Sequence, residues 1–192
     1  MRTLMITSFA LLGCLLFAQS GHTQATNPCP AAPATLLESF ETNIAVVVLK
    51  AGSEVGTVSA RTGAIAVKCR QMTDLSTGNK AQGIAVEITD HSQAKDSMLI
   101  DYDEMVPLQN ALDYLSKLEV SVTPLTIFDA TYTTKGGLRL AAIGTRRTGV
   151  IQFTIRDART GLPPLVLSRQ ELAQFSTLLD QAKATLDGLR KG

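Results

Sequence analysis

Histidine is the side chain most often recruited to move protons near neutral pH, and this chain of 192 residues carries two, His22 and His91. His91 stands in a contiguous Asp90-His91-Ser92. Nucleophilic triads are assembled from separated positions that the fold brings together, so this run reads as a loop histidine and no triad. No HExxH, glycine-rich phosphate loop or nucleophile elbow is present. Carboxylates gather at Asp101, Asp103 and Glu104, with Asp90 and Asp96 close in sequence. They suggest a cation site or an acid–base pair. Calcium, however, asks for six or more oxygens in a tightly turned loop, and no glycine occurs from His91 to Glu104. Asp101 and Glu104 also have the spacing of a helix-capping box. No metal site, no cofactor and no catalytic residue is therefore expected, and the chain is read as non-enzymatic.

The stronger chemical signal is basic. Lys135, Arg139, Arg146, Arg147, Arg156 and Arg159 fall within one stretch of the second half. Strand alternation puts Arg139, Gln152 and Arg156 on one outward face, and the other cations in adjoining turns. Such a set suits an anionic partner: a carboxylate-rich protein, a lipid headgroup, a polysaccharide, or the acidic first half of this same chain. Gly21 to Glu119 holds 7 Lys+Arg against 12 Asp+Glu, net −5, whereas Val120 to Gly192 holds 10 against 5, net +5. Opposite halves favour docking on each other, which predicts a monomer with the halves packed together.

Met1-Arg2-Thr3 is a short basic start, and Leu4 to Phe17 is an uncharged apolar run followed by Ala18-Gln19-Ser20. That is the pattern of a secretory signal peptide over residues 1–20, predicting export to a periplasm or the medium. Leu11-Leu12-Gly13-Cys14 resembles a lipobox, so lipidation at Cys14 is an alternative, although Leu15-Leu16-Phe17 continues the apolar run beyond it. No later stretch is long and apolar enough to span a bilayer. Of the remaining cysteines, Cys29 and Cys69, two readings stand: a disulfide, as exported proteins favour, or a buried Cys69 thiol alternating with Ile65 and Val67.

The elements that must position these residues are written twice. Ile84 to Asp90 reads against Ile151 to Asp157, and the same shift lays Leu99 to Met105 on Val166 to Leu172. With some slippage, Val55 to Val67 reads against Phe128 to Leu140. A repeat sets the architecture before any motif is weighed. Residues 21–43 read as a loose leader, with a helical turn near Thr35 to Phe40. In copy one (44–119), strands are expected at Ile44 to Leu49, Glu54 to Arg61, Ala64 to Gln71, Gly83 to Thr89 and Ser97 to Ile100. A helix then carries Met105, Leu108, Ala111, Leu112, Leu115 and Leu118 at helical spacing. In copy two (120–192), strands are expected at Leu125 to Thr133, Leu138 to Ile143, Val150 to Arg156 and Leu165 to Leu167. Ser168 and Glu171 cap a last helix bearing Leu172, Phe175, Leu178, Leu179, Ala182, Leu186 and Leu189. The fold class is α+β: a tandem duplication of an antiparallel sheet backed by one C-terminal helix, packed as one pseudo-symmetric body.

Hairpins, a short capped last strand and one amphipathic helix resemble the Whirly and single-stranded-DNA-binding coactivator type, the nearest local likeness being Gly149 to Leu186. The whole chain is also similar to an uncharacterised family of exported bacterial proteins. Ser53-Glu54-Val55-Gly56-Thr57-Val58, Ile100-Asp101-Tyr102-Asp103-Glu104 and Thr134-Lys135-Gly136-Gly137-Leu138 carry that likeness. It implies no activity. Single-strand binders stack bases on exposed aromatics along a basic groove. This chain has no Trp, and Phe153 alternates with Ile151 and Ile155 on the face a helix should bury. Nucleic acid is disfavoured. The expected function is a non-catalytic exported module binding a protein or envelope component. The alternative is a small-ligand or lipid carrier with an apolar cleft between the copies.

Overall fold

In a computed structural model that describes residues 34–191, apolar alternation and turn residues lay out two four-stranded antiparallel sheets. The first, in the order β1-β2-β3-β4, comprises β1 (Val48–Ala60), β2 (Gly63–Asp74), β3 (Lys80–Asp90) and β4 (Lys95–Asp101). The second repeats that order with β5 (Ile127–Thr133), β6 (Leu138–Thr145), β7 (Val150–Asp157) and β8 (Leu165–Leu167). Helix α1 (Leu36–Thr42) precedes the first sheet, a 3-10 turn and α2 (Met105–Ser116) follow it, and α3 (Arg169–Lys191) closes the second. The duplicated α+β plan is present. The segment expected to be a signal peptide, with Cys14, and also His22 and Cys29, lie outside the described residues.

Inside each sheet the register follows the apolar pattern. Ile65 faces Ile88 and Val67 faces Val86, while in the second sheet Leu140 faces Ile155 and Ala142 faces Phe153. Ile65 thus occupies the place of Leu140, two residues beyond the alignment that set Val67 against Leu140. A slip of two keeps every side chain on its face, so hydrophobic pattern alone could not detect it.

Three expectations are corrected. Ile44 to Leu49 is not a strand of its own: β1 runs unbroken from Val48, taking up one extra residue in a bulge between Glu54 and Gly56. Ile44 to Val47 is the connection out of α1, turned by Ala45 at φ 64°. The leader is not loose from Thr35 onward. Thr35 and Glu38 form a capping box, and Leu37 and Phe40 pack on Met72, Ala81, Ala85 and Leu99 across the outer face of the first sheet. Third, Asp101 and Glu104 do not cap the helix that follows them. Pro107 falls in the first turn of α2, where its missing N–H costs nothing.

The helices are also exchanged between the copies. α3 lies across β1 and β2 of the first sheet, whereas α2 lies against β5 and β6 of the second. A Cβ at Gly56 of β1 would come within 2.7 Å of Leu178. The inner faces of both sheets, α2 and α3 consequently share one core, from Val58 and Val67 through Leu108 and Leu112 to Leu140, Phe153 and Phe175. Cys69 is buried in that core, 3% exposed, and bonds no other cysteine among the described residues. Its Sγ lies 3.6 Å from the Ala182 carbonyl that accepts its proton, and burial pushes its pKa up. Cys29, the other cysteine of the disulfide reading, lies outside the described residues.

Candidate functional site

The six basic residues separate into three places. Lys135 opens the β5–β6 turn and belongs to the seam between the copies. Its amide donates to Glu104 Oε1 at 2.7 Å, and its ammonium pairs with Asp103 at 3.0 Å. That pairing raises its pKa. Arg159, beyond β7, joins Asp157 and reaches back to Glu38 of α1. Burial works against its charge, and the two carboxylates outweigh burial, raising its pKa. Burial likewise pushes Glu38 up, but the Arg159 guanidinium and the Ala34 and Thr35 amides hold it below the usual carboxylate range. These two cations meet the acidic first half of the chain, as the opposed charges of the halves suggested, and are already paired there.

Arg146 and Arg147 sit in the β6–β7 turn, where Arg146 donates to the Pro124 carbonyl at 2.9 Å. Arg139 and Arg156 lie at the opposite end of the same two strands and face each other directly in the ladder. Neither has an ion-pair partner among the described residues. Like charges directly opposite in a sheet are destabilising, so the fold itself has no use for this pair. Around them the outward positions are Asp129, Thr131 and Thr133 of β5, Ala141 and Ile143 of β6, Gln152 and Thr154 of β7, and Val166 of β8. The corresponding face of the first sheet carries α1, whereas no helix covers this one among the described residues.

The acidic cluster is structural. Asp101 accepts the Leu36 and Leu37 amides at 2.6 and 3.0 Å and so caps α1 from across the sheet. Glu104, 6% exposed, holds Lys135 with one oxygen, while its Oε2 is buried without a hydrogen-bond partner among the described residues. Burial pushes its pKa up, against the Lys135 amide and ammonium. Beside it Gly136 fits against β4 so closely that a Cβ would lie 1.8 Å from the Leu99 carbonyl. In Asp90-His91-Ser92 the serine donates to Asp90 and the imidazole meets the Arg61 carbonyl, so the three form turns and no relay. No group of acidic, cysteine or histidine side chains that could hold a metal occurs among the described residues.

A concavity of roughly 900 Å³ opens where α1, β3, the 3-10 turn and the end of α3 meet. Its charged lining is Lys80, Asp101, Asp103, Lys135 and Arg190, with Tyr102 beneath. Arg190 stacks over the Tyr102 ring at 4.2 Å, and Tyr102 donates to Asp187. Leu36, Ala81 and Leu189 share the lining with these charges, and the space between the inner sheet faces is filled by α2 and α3. Sequence reasoning missed this cleft, since its residues come from five separate segments. No family model, curated protein or solved structure matches the chain.

Proposed function

We propose that this protein is an exported, non-catalytic docking module that takes a carboxylate-bearing protein on the outer face of its second sheet. The observation that carries the reading is the Arg139–Arg156 pair: two cations side by side, without a counter-ion among the described residues, on the one outer sheet face that no helix covers. Bidentate guanidinium–carboxylate contacts suit such a pair. The same face presents threonine, alanine, isoleucine and valine, and no aromatic ring. Phe153 is in the core, under the Arg169 guanidinium. That favours a protein over a single-stranded nucleic acid, whose bases need stacking surfaces. Export rests on the Met1 to Ser20 segment, and N-terminal sequencing of the protein recovered outside the cytoplasm tests it.

Mild crosslinking of tagged protein, expressed with its own N-terminal segment in the producing organism, tests the docking face. One stoichiometric acidic partner is expected. Arg139→Glu/Arg156→Glu should lower its capture about tenfold or more, and Arg146→Glu/Arg147→Glu should not. Capture indifferent to the first pair, or turnover by the purified chain that depends on one polar residue, overturns the reading. A second reading, a carrier of a small polar anion, is favoured only by the charged cleft at the seam. A co-purified mass in native mass spectrometry that is lost in Arg190→Glu would support it instead.

A further inference from the structure

The first sheet outgrows the second at one corner. β1 spans 13 residues against 7 in its counterpart β5. From Leu49 to Glu54 the strand is exposed at every residue. One side of β1 pairs with β2; the other is a sheet edge with no strand beside it among the described residues. Edge strands are normally shortened, covered or charged, because an open row of N–H and C=O groups recruits another strand. Here the strand is long, and its charges are arranged in an order that matters.

Lys50 and Glu54 point to the same face, since Lys50 stands opposite Met72 and Glu54 opposite Lys68. Their side chains are 48% and 74% exposed, each with one loose ion pair among the described residues, to Glu41 at 3.4 Å and to Lys68 at 3.9 Å respectively. Midway between them is Gly52. An antiparallel pairing of β1 with a second β1 about a two-fold axis at Gly52 therefore sets Lys50 of each copy opposite Glu54 of the other. Leu49, 53% exposed, would come beside the bulge that follows Glu54 in the other copy. At the axis, glycine meets glycine, with no side chain between the backbones. A notch of roughly 220 Å³ bordered by Ala51, Gly52, Ser53, Arg70 and Leu189 adjoins that point. Register errors break the match: a shift of one residue sends one charge of each pair to the other face.

We propose that the protein forms a homodimer through antiparallel pairing of β1 with β1 of a second copy, centred on Gly52 and held in register by two Lys50–Glu54 pairs. The contact is isologous, so it closes at two copies and does not propagate into a filament. It joins the two first sheets into one eight-stranded sheet, and both outer faces of the second sheets stay uncovered.

Sedimentation velocity on protein purified from the full-length sequence tests this. The expected result is a dimer at micromolar concentration. Lys50→Glu and Glu54→Lys should each weaken it about tenfold or more, since each replaces two attractions by two repulsions. Lys50→Glu/Glu54→Lys should restore it to within about threefold of the unaltered protein, which neither misfolding nor a general charge effect would do. All these positions are exposed, and circular dichroism checks that each variant is folded. A monomer throughout the micromolar range overturns the proposal. So does a dimer indifferent to the single swaps, or one that the double swap fails to restore.

Discussion

Glu104 is the residue at which the duplicated halves differ most in what they do with the same pattern. Ser168 and Glu171 exchange hydrogen bonds as a capping box at the start of α3. Asp101 and Glu104 hold the equivalent positions but are turned outward, one to α1 and one to the β5–β6 turn. The spacing was legible in sequence; the partners were not, because a carboxylate caps any N–H within reach and the sequence does not say which helix end will arrive. The cost of the arrangement is an Oε2 unpartnered among the described residues. Because burial raises the folded pKa of Glu104 above its ordinary value of 4.5, the folded state holds its proton over a range where the unfolded chain has lost it. Stability assigned to this residue therefore rises as pH falls from neutral toward 4.5. Lys135, Asp101, Asp103 and Tyr132 are the charged and titratable groups that couple to it. Urea unfolding of the unaltered protein and Glu104→Gln at pH 7.5 and 5 reads this directly. The unaltered protein should gain on the variant at the lower pH, and a gap that does not move with pH would contradict the assignment.

At the scale of elements, strands and amphipathic stripes were legible. The stripe Leu172, Phe175, Leu179, Ala182 and Leu186 is buried as its spacing requires. Which sheet it covers was not legible, since an apolar stripe specifies only that something apolar will meet it. The short helix α1 shows a different limit. Seven residues are too few to be helical alone, so it depends on Leu37 and Phe40 and on the borrowed carboxylate of Asp101. Asp101→Ala leaves two amides without that acceptor, a loss of about 1–3 kcal/mol. Hydrogen exchange should show the Leu37 amide losing about ten- to a hundredfold of its protection, while amides in the middle of β2 and β3 keep theirs. Uniform loss across both would mean that α1 and the sheet unfold as one unit.

For the whole molecule, the exchange of helices makes the copies interdependent. A segment ending near Lys117 would leave Val58, Val67 and Cys69 without the helix that covers them, and one beginning near Val120 would leave the inner face of β5 and β6 without α2. Residues 34–119 and 120–192, expressed separately, should each lack a cooperative thermal transition and regain one on mixing. Circular dichroism melts of each segment and of the mixture decide this. A cooperative transition in either segment alone would show that the exchange is not required for folding. The net charges of −5 and +5 on the two halves would aid such reassembly, and Lys135–Asp103 and Arg159–Glu38 are two places where they meet.

The bond from Cys69 to Ala182 joins positions 113 apart in the chain. On a ribosome this separation becomes a delay. β1 and β2 are made well before the helix that seals them, so their apolar inner face must wait until α3 has followed. Closure over such a distance is slow, and until Phe175 and Leu179 arrive the first sheet is a template awaiting its lid. The order of its own elements thus keeps the inner face of the first sheet open until α3 has been made.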